Sequence, residues 1–479
     1  MASGDFIALL DHDDLLDRFA LFENARLLNL HPRAEIIYSD EDKIDQNGLR
    51  YEPFFKPDWS PELLLSQMYC GHLGVYKRDL IERIRGFREG YASELTDEIY
   101  HIPKVFYHWR TIDGSTAADP TAKNYAYLSG EKALQDAANR RGIDAKSFQI
   151  PKKYGQYALK YSVETPPKVS IIVPSIESSD QLKKLAIFLG SFALAIDYPE
   201  FEILVVLSRS VILATPDMDS NLEAEIINNT PSFLVEHVRS CFKSTVRFVV
   251  SEELSNYPRL INVGARHASG ELLFCLSDST DSIEALYDSS KYWLHQMASR
   301  AQLEPLGSVG GLIVDRKRDV VISSGMMINS DGTPADMHQG ESAARTGYFG
   351  RLLVSSNCSA VCLDCLLTRR SLFENKGGLD EGLSADLAAL DYGLWLRDND
   401  YRSVMLPQFR FSQADSESSG VSENAKDDME RNESWAHFSE KWSALLPKTD
   451  PYYNPNLMIK GRAARFDLDL SFRDKELTS

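Results

Sequence analysis

Asp11-His-Asp-Asp14 is the densest concentration of possible chemistry in the chain. It follows an apolar run, Phe6–Leu10, that reads as a buried strand, and it precedes a helical pattern. Carboxylates at the carboxyl end of a strand in an open α/β sheet lie where such sheets bind ligands. Two Asp with one residue between them can hold a hard cation that also bridges a diphosphate, neutralising charge as a phosphate leaving group departs. A single Asp would satisfy a helix N-cap, and four polar residues in a row exceed that need.

The elements that must position this group alternate in type. Phe6–Leu10 and Glu35–Tyr38 read as strands with an amphipathic helix, Leu15–Leu30, between them. After a solvated helix, Ala126–Arg141, and a stiff Thr165-Pro-Pro167, a second α/β rhythm begins: strand Val169–Val173, helix Gln181–Phe192, strand Phe201–Leu207, with further strands at Val246–Val250, Glu271–Leu276 and Cys362–Thr368. The 479 residues carry 70 acidic against 52 basic side chains, a formal net charge of −18, which argues against general affinity for nucleic acid or anionic membrane. Hydrophobic residues make up 43%, enough for real cores. No apolar run approaches the ~20 residues of a membrane span. Six cysteines without a regular framework suit a reducing compartment.

An internal repeat organises these elements. Ala2-Ser-Gly-Asp5 before Phe6–Leu10 returns as Ala268-Ser-Gly-Glu271 before Leu272–Leu276. Lys77-Arg78 returns as Arg369-Arg370, Gly86-Phe87 as Gly378-Leu379, and Ile102-Pro103 as Leu406-Pro407. The spacings imply two copies of one fold, with copy one opening about a hundred residues into it and lacking about a dozen residues between Gly90 and Ile102. The counterparts of that gap lie around Ser384–Arg397.

With these residues in view, the chain resembles a tandem family 2 glycosyltransferase of the bacterial polysaccharide and O-antigen type, rhamnosyltransferase-like. The resemblance rests on Ala2-Ser-Gly-Asp5 with Leu9-Leu-Asp-His-Asp-Asp14, Tyr38-Ser-Asp-Glu-Asp-Lys43, Phe55-Lys-Pro-Asp-Trp-Ser-Pro61, Gly71-His-Leu73 and Tyr107-His-Trp-Arg110. In the second copy it rests on Lys168–Pro174, Tyr198–Ile203, Gly264–Glu271, Gly347-Tyr-Phe-Gly350 and Asp450-Pro-Tyr-Tyr-Asn-Pro-Asn456. It implies an α/β, Rossmann-like GT-A nucleotide-diphospho-sugar transferase fold in one partial and one fuller copy. The expected boundaries are a partial domain over 1–111, a helical linker over 112–166 and a second domain over 167–479. Asp11, Asp13 and Asp14 are expected at the sugar diphosphate, with Asp11, Asp13 and His108 as ligands of Mn2+ or Mg2+. His108 reads equally as a strand-end histidine packed beside Trp109. Asp40-Glu-Asp42 resembles an acidic element near the sugar or acceptor, or else a solvated turn.

Copy two departs from the family pattern at each acidic station. Leu207 stands where an Asp would meet the nucleotide base, Ser277 and Ser279 replace the D-x-D carboxylates, and Ala389 occupies the position of the general base. Ser412 stands where the later histidine is expected. A serine hydroxyl cannot neutralise a diphosphate–metal pair, and alanine cannot take a proton. Copy two therefore reads as non-catalytic, while Glu94 and Asp97 are the carboxylates nearest the gap in copy one. The expected partners are a nucleotide-sugar donor, a lipid-linked or polysaccharide acceptor and another glycosyltransferase chain, in the cytoplasm or peripheral at the inner membrane. Transfer to a surface polysaccharide is one reading; a non-catalytic scaffold or half of a split enzyme is the other. Cys358, Cys362 and Cys365 read as small strand residues rather than a zinc knuckle, and Trp435, Phe438 and Trp442 as core.

Overall fold

The computed structural model describes residues 3–86, 96–111, 124–162, 164–175, 181–208, 246–251, 256–287, 290–329, 332–413, 425–446, 450–460 and 463–468. The first sheet contains β1 (Phe6–Ala8), β2 (Leu15–Leu16), β3 (Ile36–Ile44), β4 (Arg50–Phe54), β5 (Gly74–Lys77) and β6 (Ile99–Arg110), with helix α1 (Ala20–Leu30) between β2 and β3. Its order is β1-β5-β3-β6-β2, and β4 pairs with β3. The stretch expected as one helix, Leu15–Leu30, is divided. Leu15 and Leu16 pair with His108 and Tyr107 of β6, and the helix starts only at Ala20.

Residues 112–166 are not simply helical. α2 (Asn124–Arg140) is followed by an antiparallel hairpin of β7 (Ala145–Gln149) and β8 (Tyr157–Tyr161). The hairpin buries Ala145, Ser147, Leu159 and Tyr161, the alternation of a half-covered strand pair.

The large sheet begins with three parallel strands, β9 (Val169–Ser175), β10 (Phe201–Ser208) and β11 (Val246–Ser251), with α3 (Gln181–Ala195) crossing from β9 to β10 and α4 (Tyr257–His267) packed on all three. β9 is buried throughout, as its unbroken run Val-Ser-Ile-Ile-Val requires. Then come β12 (Leu272–Leu276), β13 (Thr280–Ala285), α5 (Trp293–Ala301), β14 (Leu306–Asp315), β15 (Val320–Ser323), β16 (Met326–Ile328), β17 (Pro334–Met337), β18 (Ser356–Cys358), β19 (Cys365–Arg369), α6 (Ala385–Asp398), β20 (Arg402–Gln413), α7 (Ala425–Lys441), β21 (Leu457–Lys460) and β22 (Ala463–Leu468). The large sheet runs β11-β10-β9-β12-β19-β14-β20-β13, and β16, β17, β22 and β21 form a separate small sheet.

The repeat is visible in register as well as order. β12-β19-β14-β20-β13 has the connectivity of β1-β5-β3-β6-β2. Phe6 faces Lys77 as Leu272 faces Arg369, and both pairs are antiparallel. β3 and β6 run parallel with Ser39 opposite Ile102, as β14 and β20 do with Gly311 opposite Leu406, and each pair shifts register at the next residue. The copies differ on one side. β12 is sandwiched between β19 and β9, whereas β1 pairs only with β5 among the described residues.

Helix α6 lies against the strands at close range. A Cβ on Gly393 would strike the Ser359 carbonyl oxygen and the Ala360 side chain. Gly393→Ala should therefore lower stability by about 1–3 kcal/mol despite the better helix propensity of alanine, because backbone cannot move aside as a side-chain tip can. Chemical denaturation of the two proteins measures it.

Candidate active site

The loop after β1 lies at the carboxyl end of its strand, as the sequence required. Asp14 does not face outward. The Tyr107 hydroxyl donates to its Oδ2 at 2.7 Å and the Arg110 amide to its Oδ1 at 2.9 Å, so this carboxylate fastens the loop to β6. Tyr107 also accepts from the Asp11 amide at 3.2 Å, and burial with the bond to Asp14 holds its hydroxyl well above the usual range. Asp11 is exposed and Asp13 half-buried, with Asp13 3.6 Å from the His12 imidazole.

His108 is buried on the same strand, β6, between Tyr107 and Trp109. Its Nδ1 lies 2.5 Å from Asp42 Oδ1, and the other oxygen of Asp42 accepts from Arg50 Nε at 2.6 Å. A carboxylate on Nδ1 is the arrangement that orients a metal-binding imidazole and leaves Nε2 as the ligating atom. The oxygen donors of Asp11 and Asp13 suit Mn2+ or Mg2+ in chemistry. Yet no group of three His, Cys, Asp or Glu among the described residues is arranged to hold a metal, so the set expected from Asp11, Asp13 and His108 is not gathered.

Asp40, Glu41 and Asp42 form no solvated turn. They lie within β3, and each carboxylate meets a basic group. Lys56 Nζ sits 2.7 Å from Glu41 Oε2 and also donates to the His72 carbonyl. Burial alone would raise the Glu41 carboxyl, but Lys56 and His72 hold it below its ordinary value. Trp109 Nε1 donates to His72 Nδ1 at 2.9 Å, and the His72 ring stacks on Tyr107, so Glu41, Lys56, His72, Trp109 and Tyr107 form one connected wall.

Asp40 is fully buried and accepts four contacts. The Lys56 amide donates at 2.8 Å, the Asn454 amide reaches both oxygens at 2.9 and 3.1 Å, and His101 Nε2 lies 2.9 Å away. Burial would lower the His101 pKa, but Asp40 on one nitrogen and Asp58 at 3.0 Å on the other raise it. Asn454 belongs to the Asp450–Asn456 motif of the second copy, so that motif closes on the first sheet. Sequence reasoning missed Asn454, Lys56, His72 and His101 as site residues. The quoted motifs contain Asn454, Lys56 and His72, but only folding brings them together.

Further contacts join the copies. Ser60 Oγ donates to Asn357 Oδ1, the Arg300 guanidinium pairs with Glu62 in a buried setting, Tyr348 donates to the Pro53 carbonyl, and Asn456 donates to the Pro103 carbonyl. The Gly347–Gly350 motif thus also contributes to the contact between copies.

In copy two the stations expected to lack acids are packed. Leu207 and Ala389 belong to buried clusters, Ser277 Oγ accepts from the Ser279 amide, and Ser412 is buried. Glu94 lies outside the described residues, and Asp97 is exposed. Phe438 is core, with Trp435 and Trp442 packed against it, and among the described residues Cys70, Cys275, Cys358, Cys362 and Cys365 form no disulfide. Asp336 and Asp364 were not singled out from sequence. Burial and the charges of Asp386 and Asp364 push Asp336 up to about 7, against a bond from Ser323 that lowers it.

No family model matches the chain. It is 31% identical over 477 residues to the uncharacterised protein y4gI of Sinorhizobium fredii, covering 96% of this chain and 49% of that protein. It is 30% identical over 469 residues to the O-antigen biosynthesis protein RfbC of Myxococcus xanthus, covering 95% of this chain and 34% of RfbC. The chain thus spans about half of one curated relative and a third of the other. Among solved structures it is similar to the mannosyltransferase PcManGT of Pyrobaculum calidifontis, in complex with GDP-Man and Mn2+, at 16% identity and a TM-score of 0.35, covering 71% of this chain and 79% of that one.

Two outcomes follow from the geometry. Asn454→Ala removes two donors from a buried carboxylate and should cost about 1–3 kcal/mol, read as a lowered midpoint in denaturant. The Asp336 carboxyl holds its proton to about pH 7 in the folded chain against 3.8 unfolded. Its stabilising contribution is full below the lower value and is lost as pH rises through the upper one. Asp336→Asn should therefore be more stable at pH 8, by on the order of 2 kcal/mol, with the gain vanishing towards pH 4 in a melting series. The chain is similar to the O-antigen biosynthesis protein RfbC over 95% of its own length, which is 34% of the length of RfbC.

Proposed function

We propose that the chain is a GT-A-type glycosyltransferase that moves a sugar from a nucleotide-sugar to a bacterial surface polysaccharide or its lipid-linked precursor. The observation that carries this reading is the 30% identity to RfbC over 469 residues. The reaction is a single displacement: the acceptor hydroxyl oxygen bonds to the anomeric carbon as the bond to the diphosphate breaks. A general base takes the hydroxyl proton. Asp11 and Asp13 would meet Mn2+ or Mg2+, which supplies charge neutralisation at the departing diphosphate. Asp14 and Tyr107 fix the loop that presents them, and Asp42 fixes the His108 ring.

Copy two serves this reading as a non-catalytic brace. Its acidic stations are apolar or hydroxyl groups in packed surroundings, while Asn454, Asn357 and Arg300 reach across to copy one. No helix among the described residues is long and apolar enough to cross a membrane.

Calorimetry of the chain with UDP-, GDP- and dTDP-sugars in the presence of Mn2+ tests the assignment. Binding should fall at least tenfold in Asp13→Ala and be unchanged in Ser279→Ala. Binding that survives Asp13→Ala at full strength would remove the site from copy one.

A further inference from the structure

The Gly347-Tyr-Phe-Gly350 turn of copy two carries two aromatic rings onto copy one. Tyr348 reaches β4, where its hydroxyl donates to the Pro53 carbonyl at 2.6 Å and accepts from the Phe55 amide at 3.0 Å. The next ring, Phe349, stacks on Phe54 with centroids 4.0 Å apart and planes inclined by 16°. Phe54 is 5% exposed, whereas Phe349 above it is 36% exposed. Phe349 is thus covered where it meets Phe54 and open to solvent elsewhere. The backbone that holds it is strained. Phe349 has φ 48° and ψ 35°, the left-handed region that a bulky side chain disfavours.

Separate parts of the chain impose that conformation. Gly347 and Gly350 flank the ring with φ of 71° and 83°, Tyr348 is tied to β4, and Gln156, between β7 and β8, donates to the Phe349 carbonyl at 3.0 Å. A Cβ on Gly350 would overlap the Gln156 amide, so this approach admits only glycine. A side chain needed only to cover Phe54 could do so from ordinary backbone. A strained, exposed ring fixed from several sides is the pattern of a pre-organised contact. Its neighbours indicate what it would contact. Phe54 is paired opposite Glu41 across β4 and β3, so their side chains share one face of the sheet. Lys56, which pairs with Glu41, has its Nζ 5.7 Å from the centre of the Phe54 ring. His72 lies 3.5 Å from Glu41, is 26% exposed, and stacks on Tyr107, which holds Asp14. From the Asp11–Asp14 loop the contacts therefore run through Tyr107, His72, Glu41 and Phe54 to Phe349.

We propose that Phe349, seated on Phe54, is the platform of a glycan subsite in which copy two lends copy one a stacking surface for a sugar ring of the acceptor. A pyranose presents C–H groups on its faces and hydroxyls around its edge. The faces pack on an aromatic ring, and the hydroxyls bond to a carboxylate and an imidazole such as Glu41 and His72. A phosphate does not fit here, because the Glu41 charge repels it. The platform is separated from the Asp11–Asp14 loop by several side chains, so it takes a ring of the acceptor glycan and not the sugar carried on the diphosphate. Naming that glycan as the acceptor rests on the proposed function, while the platform rests on the geometry of Phe349.

The test is calorimetry of the full chain with O-polysaccharide from the strain that encodes it, freed of lipid by mild acid. Phe349→Leu keeps an apolar cover over Phe54 without a flat face, and it should weaken glycan binding about fivefold. Phe349→Tyr keeps the flat face and should bind as the unaltered chain does. The melting temperature should be the same in all three. Four results would overturn the platform: no glycan binding by the unaltered chain, full binding by Phe349→Leu, equal loss in both variants, or a binding loss in Phe349→Leu that comes with a lowered melting temperature. The last would assign the ring to packing between the copies. Titrating the same chain with nucleotide-sugars and Mn2+ separates this inference from the proposed function. A chain that binds glycan through Phe349 but binds no nucleotide-sugar keeps the platform and loses the transferase reading.

Discussion

A buried carboxylate decides how the halves of this protein are held. Asp40 sits in the middle of β3 without solvent, and an ionised carboxylate there must be hydrogen-bonded or it costs several kcal/mol. Its donors come from three separate stretches: the Lys56 amide nearby, the His101 ring from the adjacent strand, and the Asn454 amide from the far end of the chain. Satisfying Asp40 therefore requires the second copy to be folded and docked. The same contact line carries Asn357 to Ser60 and Arg300 to Glu62, so the copies share one polar seam rather than a flexible tether.

The seam also gives the second copy a structural part in the chain. In copy two, Leu207 and Ala389 pack in buried clusters and Ser277 is buried. What it retains is a rigid sheet that holds the Asp450–Asn456 segment in place. Asp450 itself accepts from the Ile328 and Tyr452 amides and the Ser359 hydroxyl, and it presents the turn that carries Asn454. In copy one the polar wall of Glu41, Lys56, His72 and Trp109 is assembled, whereas Asp11 and Asp13 lie in the loop that follows β1.

Much of this was legible in the residues. The α/β alternation, the repeat and the placing of Asp11–Asp14 after the first strand all come from local pattern, and the structure reproduces the repeat down to its register. The misreadings have identifiable causes. Leu15–Leu30 has helical spacing throughout, but Leu15 and Leu16 are captured by β6, a partner far away in sequence. Asp40–Asp42 look like a solvated turn because three acids in a row are usually exposed. Here each has a cation that no short-range pattern could pair with it. Residues 145–161 give a weak alternation that a preceding helix masks.

By itself the sequence determined the fold class, the two copies and which stations carry acids, because periodicity and motif spacing are properties of neighbouring residues. Only the tertiary structure decided which acids face a site and which serve as struts. Asp14 turned out to fasten a loop, Asp42 to orient His108, and Asp40 to close the seam. The physical reason is that the role of a carboxylate is set by what desolvates it and what donates to it. For these residues those donors lie as much as 414 positions away in the chain.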